Sequence, residues 1–211
     1  MPSVALDSAI RHLDDARTTP ELVRATQAIC AQEDPAAAPT LIKVLGYNNP
    51  AVAAVATQGL IALGRAIVPT LLMSLDAQNY GARAWVVRVI AALRDPRGLE
   101  LLDRALQADI APSVRRAATR GLAELDLVGS TAPADLSRCY LALFRAARDD
   151  EWVVRYAAAY GLERRLSLTP PPEPLADRGC ALLQELSEEC RENVKVVRLR
   201  AQLALQRLST G

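Results

Sequence analysis

Histidine is almost missing from this chain: His12 is the only one in 211 residues. A His-based metal site and Cys–His nucleophilic catalysis are therefore poor readings. The four cysteines, Cys30, Cys139, Cys180 and Cys190, include no CxxC pair, which argues against a zinc ribbon or a redox dithiol. Free thiols at small-residue positions fit a reducing compartment. Lysine is nearly as scarce, with Lys43 and Lys195 against 23 arginines. Two readings of that excess stand: a GC-rich genome, or a use for bidentate contact with carboxylates. Aromatic residues make up 4% of the chain while hydrophobic ones make up 51%. Ala and Leu dominate, a composition that packs helices closely and leaves few strand-forming segments. The net charge is +1, so bulk charge points to neither nucleic acid nor membrane. There is no Ser-His-Asp set, P-loop or GxGxxG. No basic-then-apolar leader opens the chain and no run approaches membrane-spanning length. The expectation is a soluble cytoplasmic protein.

What is present is repetition. Between Gln78 and Leu125 two helices are written on one template. Ala82, Trp85, Val86, Val89, Ile90 and Leu93 recur at i, i+3, i+4, i+7, i+8 and i+11, and Val114, Ala117, Ala118, Gly121, Leu122 and Leu125 repeat that spacing. This is the apolar stripe of an amphipathic helix, with Trp85 read as core. The first template position is filled by Val23, Val52, Ala82, Val114, Val154 and Val197, at intervals of 29, 30, 32, 40 and 43 residues. The next residue is Arg24, Ala53, Arg83, Arg115, Arg155 or Arg198. A PTL motif at Pro39 returns at Pro69. Such self-similarity predicts a stacked helical-repeat array, an all-α superhelix.

In order, the pattern gives about six antiparallel helix pairs in one domain spanning residues 1–211. Thr19-Pro20, Asp34-Pro35, Asn49-Pro50 and Pro112 mark helix starts, Asn79 is read as a cap, and Gly46 and Gly64 mark stops. The Pro50 helix is apolar nearly all round and should be sandwiched. Loops at 127–134 and 168–174 account for the two longer intervals. The last pair is expected over Leu175 to about Cys190 and Val194 to Leu208. Arg200 breaks its stripe, as a polar-faced terminal repeat would.

Stacking should align Arg24, Arg83, Arg115, Arg155 and Arg198 as a ladder on the second helices. Each could bond an acid or carbonyl of the previous repeat. Alternatively the row forms a trough for an anionic ligand, with Arg116 and Arg120 adding to it. Tyr80, Trp152 and Tyr156 lie close to this ladder, and Tyr160 follows Tyr156 by one turn. Arginines beside rings suit a flat conjugated ligand carrying carboxylates. Asp149, Asp150 and Glu151 form an acidic helix start, either caps compensating the dipole or carboxylates facing a ligand.

Several segments also resemble a known family: Gly46-Tyr47-Asn48-Asn49-Pro50, Asn79-Tyr80-Gly81-Ala82-Arg83-Ala84-Trp85, Asp95-Pro96-Arg97-Gly98-Leu99, Ser113-Val114-Arg115-Arg116-Ala117-Ala118 and Glu151-Trp152-Val153-Val154-Arg155-Tyr156. Together they are similar to the phycobilisome-lyase HEAT-like repeat family, and most to the F-type (beta) subunits of heterodimeric E/F-type phycocyanobilin lyases. The resemblance covers about Leu41 to Leu166. It implies an enzyme subunit that acts with an E-type (alpha) partner to attach phycocyanobilin, its substrate and not a resident cofactor, to a cysteine of the phycocyanin alpha subunit. It implies further that Arg83, Arg115 and Arg155 grip propionates, with Arg116 also among the bilin-binding residues, that Tyr80, Trp152 and Tyr156 flank the chromophore, and that Asp150 or Glu151 serves its N–H groups or proton transfer. No metal and no cofactor are expected. Isomerising relatives carry adjacent His and Cys, and no cysteine here has a neighbouring His, which favours simple attachment. Two alternatives accompany this reading: a non-catalytic HEAT-type scaffold or bilin carrier in phycobilisome assembly or turnover, and a lyase for a different bilin or phycobiliprotein, an isomerising one included.

Overall fold

The computed structural model describes residues 3–74, 80–127, 133–168 and 173–210; side chains are described from residue 82 onwards in the second of these stretches. All regular structure among these residues is helical. The chain divides into two compact units, Met1–Leu93 and Arg94–Gly211, where the sequence suggested one domain. In repeat arrays each repeat touches only its neighbours, so a division can fall between any two. Here it falls between the third and fourth helix pairs.

The first unit holds α1 (Val4–Asp15), α2 (Thr19–Cys30), α3 (Ala38–Leu45), α4 (Pro50–Ala62), α5 (Val68–Met73) and α6 (Tyr80–Leu93). Its helix starts follow from local chemistry. The Ser3 hydroxyl accepts the Leu6 N–H at 3.1 Å. Thr18, one residue before the expected cap, makes a capping box with Glu21. Asn49 accepts the N–H groups of Ala51 and Val52 and donates to the Thr19 hydroxyl, tying two repeats together. As its composition suggested, α4 packs among α2, α3 and α6. Leu41, Leu45, Leu60, Leu71 and Ile90 are fully buried there, each contributing roughly 1.5–3 kcal/mol of transfer free energy. Gly59 permits the closest approach: a Cβ there would lie 2.2 Å from the Cys30 Sγ. Trp85 is half-buried, with the Arg88 guanidinium over its ring at 4.6 Å, so it is not the core residue its stripe position suggested. The expected cap Asn79 lies outside the described residues.

The second unit holds α7 (Leu99–Ala108), α8 (Pro112–Glu124), α9 (Pro133–Ala146), α10 (Trp152–Leu168), α11 (Leu175–Ser187) and α12 (Lys195–Thr210). Helices α8, α10 and α12 pack side by side, and α7, α9 and α11 back them. A Cβ on Gly161 would lie 2.7 Å from Leu143 and 3.1 Å from Ala123, which is how α10 approaches α8 and α9. The buried Arg165 donates to the carbonyls of Leu122 and Leu125, satisfying the open C-terminal end of α8. Of the expected loops, 128–132 and 169–172 lie outside the described residues. Helix α9 begins at Pro133, inside the first of them, and α11 stops at Ser187, short of Cys190. Arg200 is not a polar outer cap. It is buried, bonded to Glu163 at 2.5 Å and set over the Tyr160 ring. No single helix among the described residues is long and apolar enough to cross a membrane.

Candidate functional site

The arginine row of the second unit is a chain of ion pairs running through the turns. Arg115 donates Nε and Nη2 to the two carboxylate oxygens of Asp149 at 2.7 and 2.8 Å, and Nη1 to the carbonyls of Asp109 and Ile110. Forty residues on, Arg155 repeats the device. It grips both carboxylate oxygens of Glu192 and donates Nη1 to the carbonyls of Asp149 and Asp150. Arg198 donates to the Glu192 carbonyl and, at 3.3 Å, to Glu189.

The acids have a second duty. Asp149 accepts the Glu151 N–H and Glu192 the Val194 N–H, at 2.9 and 2.8 Å, shaping the turns that open α10 and α12. Each acid thus bonds its own turn and the arginine of the preceding repeat. The Arg155 bond holds the Glu192 carboxyl below its usual range. Burial pushes Asp149 up, but the Arg115 guanidinium and the Glu151 N–H outweigh it, and its carboxyl also lies low. Bonds to Asp149 and Glu192 in turn raise the Arg115 and Arg155 guanidinium groups. The donors of Arg115 and Arg155 are therefore occupied, and an incoming carboxylate would compete with well-made bidentate pairs.

The residues named from the sequence fall in two places. Trp152, Asp150 and Arg155 line a cleft of about 740 Å³ at the turn ends of the last two repeats. Trp152 is 43% exposed, and the carboxylates of Asp150 and Glu151 both sit on exposed residues. Five carboxylates line this cleft against the guanidinium groups of Arg148, Arg155 and Arg191. Arg155 is spent on Glu192 and Arg148 faces Glu185 at 3.8 Å. It is a poor seat for an anion.

Arg116 and Tyr156 do not line this cleft; Tyr156 follows Trp152 by one turn of α10, further along the second helices. The repeat register sets Arg116, Tyr156 and Leu199 side by side on α8, α10 and α12, with Arg120, Tyr160 and Leu203 one turn on. Across this face the side chains grade from guanidinium to phenol to aliphatic. Arg116 and Arg120 are exposed, and among the described residues neither has a carboxylate partner. Leu199 and Leu203 are 53% and 39% exposed. In the first unit Arg83 is half-buried and engaged in contacts of its own, and the Tyr80 side chain lies outside the described residues. The acids come from the following repeat, Asp149 to Arg115 and Glu192 to Arg155, and not from the previous one as the sequence suggested. The i−6 spacing of each acid from the next arginine, 149 to 155 and 192 to 198, is the signal that could have shown it.

The profile for HEAT repeats matches residues 38–123 and 68–163. The chain is 55% identical over 207 residues to the bilin biosynthesis protein RpcF of Synechococcus sp. (strain WH8020), covering 98% of this chain and 97% of that one. It is 42% identical over 193 residues to the phycocyanobilin lyase subunit beta of Nostoc sp. (strain PCC 7120 / SAG 25.82 / UTEX 2576), covering 88% and 92%. Among solved structures, one chain of the complex of CpcE and CpcF of phycocyanin lyase from Nostoc sp. PCC7120 matches with a TM-score of 0.71 at 41% identity, over 81% of this chain and 99% of that one.

Proposed function

This chain belongs to the HEAT-repeat family of phycocyanobilin lyase beta subunits, and on that premise we propose that it positions a bilin for thioether attachment on the open face of α8, α10 and α12. It is a lyase subunit that works with an E-type partner on the phycocyanin alpha subunit. The setting is the cytoplasm of a cyanobacterium, and the bilin is substrate, with no resident cofactor or metal.

The reaction asks little of the protein beyond placement. The acceptor thiolate attacks the exocyclic carbon of the ring-A ethylidene, forming a carbon–sulfur bond, and the adjoining ring carbon takes up a proton. The S–H is thereby added across the double bond without oxidant or reductant. Holding the planar pigment extended beside the thiol supplies much of the rate. The observation that carries this placement is the register of α8 on α10, which seats Arg120 over the Tyr160 ring at 4.8 Å and so brings Arg116, a guanidinium without a carboxylate partner among the described residues, level with Tyr156 one turn earlier. Arg116 takes a propionate and Tyr156 lies along the chromophore. Arg115 and Arg155 keep the repeats in register behind them. Asp150 and Glu151, exposed at the start of α10, supply the carboxyl group that assists proton transfer, and Trp152 stands beside them.

A second reading concerns the pigment. The name of the 55% identical relative, a bilin biosynthesis protein, specifies no particular bilin, and a different bilin is the alternative substrate. Mixing the chain with its E-type partner, apo-phycocyanin alpha subunit and phycocyanobilin, and in parallel with other bilins, tests both. A coloured adduct that survives denaturation and needs both subunits is the expected result. Binding without transfer for every bilin would instead make the chain a carrier.

A further inference from the structure

Most guanidinium groups of the second unit already hold an anion: Arg115 holds Asp149, Arg155 holds Glu192, Arg200 holds Glu163 and Arg138 holds Asp103. Arg120 departs from this, although the sequence gives it an acid one turn along the same helix, Glu124. That carboxylate is taken. It accepts the Tyr160 hydroxyl on one oxygen and faces Arg94 and Arg164 on the other, at 3.4 and 3.5 Å. The Arg120 guanidinium lies instead over the Tyr160 ring, 4.8 Å from its centroid. Arg200 is also set over that ring, at 5.4 Å, and is itself fixed by Glu163.

Two consequences follow. Tyr160 is already stacked by two guanidinium groups, so it is poorly placed to stack on a pigment as its position beside Tyr156 suggested. Arg120, stacked on a ring that is itself anchored, keeps its N–H edge open while losing much of its freedom to wander. Arg116 sits one turn before it, exposed and likewise without a carboxylate. Two like charges at this spacing repel, and an anion lying between them removes the repulsion.

We propose that Arg116 and Arg120 together form a receptor for the two propionate carboxylates of the bilin, and that Tyr160, anchored by Glu124, is the positioning residue that holds Arg120 open for it. This rests on the reading of the chain as a bilin-positioning subunit and assigns the recognition element within that face. Both propionates sit on the central rings, so their capture here lets one end of the pigment extend over Leu199 and Leu203, the exposed apolar end of the same face.

The test compares free phycocyanobilin with its dimethyl ester, titrated into the complex of this chain with its E-type partner. The wild-type complex should bind the free acid more tightly than the ester, by about tenfold or more for one charge-assisted contact. Arg116→Ala and Arg120→Ala should each reduce that acid-over-ester ratio several-fold and leave ester affinity unchanged, with Arg120→Lys recovering part of it. Tyr160→Leu should lower the ratio as Arg120→Ala does, with Tyr160→Phe between. Both arginine side chains are exposed, so their variants should keep the wild-type unfolding midpoint. An unchanged ratio in Arg120→Ala and Arg116→Ala, with transfer intact, would overturn the receptor and leave the lyase reading standing. A wild-type complex that binds neither pigment form would overturn both.

Discussion

Arg115 closes a bidentate ion pair on Asp149, 34 residues further along the chain, at 2.7 and 2.8 Å. Asp149 is also the residue whose backbone carbonyl receives Arg155, so one acid joins the arginines of two successive repeats. Both side chains are largely covered, at 16% and 11% exposure, which keeps the pair from being a screened surface contact. Asp149→Ala should therefore destabilise the fold by roughly 1–3 kcal/mol, since it strands a guanidinium and a turn N–H together. Urea unfolding checks this. Unaltered stability with abolished bilin transfer would return Arg115 to the ligand.

Acid should loosen the same ladder. Asp149 and Glu192 both ionise more readily in the fold than in the unfolded chain. A depressed carboxyl stabilises the protein fully above its unfolded value, and that contribution is lost as pH falls through the lower, folded value. The unfolding midpoint should accordingly drop as pH falls below 4.5, the ordinary Glu value. An Asp149→Asn, Glu192→Gln double variant should begin less stable and lose less over that span. Parallel slopes for the two proteins would mean that other groups carry the acid sensitivity.

The helix pairs were legible because their signal is local. Apolar spacing, Pro at the first turn and polar caps act within a few residues, so α4 and α8 sit where those marks put them and α2 starts one residue early. Trp85 and Arg200 were misread because spacing along one helix cannot say what the next helix brings. The Arg88 guanidinium lies over the Trp85 ring, while Glu163 and the Tyr160 ring make burial of Arg200 tolerable. The arginine row was visible as a row, but its partners lie 34 and 37 residues away. Which arginines are spent and which stay open depends on those partners. Arg115 and Arg116 are adjacent in sequence, with the same chemistry, and only the fold separates a strut from an open cation.

Close packing in the first unit gives a prediction with its own internal control. An added Cβ at Gly59 would sit 2.2 Å from the Cys30 Sγ and 3.1 Å from its Cβ. The thiol has little room to yield, since it packs between α2 and α4 and lies 3.8 Å from the Val55 carbonyl. Gly59→Ala should cost roughly 1–3 kcal/mol by overpacking, in spite of the higher helix propensity of alanine. Cys30→Ala opens the space, so the double variant should be more stable than the sum of the two single changes implies. Additive losses on thermal unfolding would place the strain elsewhere.

The two places to which the aromatic residues were brought can be told apart by one pair of variants. By the repeat register Tyr156 is level with Arg116, while Trp152, one turn before it on α10, lines the acidic cleft with Arg155 and Glu192. An aromatic contact is worth about 0.5–1.5 kcal/mol beyond its buried area. Tyr156→Leu should thus weaken bilin binding by the assembled lyase about two- to tenfold with the unfolding midpoint little changed. Trp152→Leu should leave that affinity near wild type, because a dianionic pigment gains nothing from a cleft whose carboxylates outnumber its cations and whose Arg155 is already bound. Titration of phycocyanobilin followed by its absorbance separates the cases. The reverse pattern, with Trp152 mattering and Tyr156 silent, would move the pigment from the helix face to the turns. Arg155 would then have to release Glu192 to receive it, so Glu192→Gln, which frees that guanidinium, would tighten pigment binding.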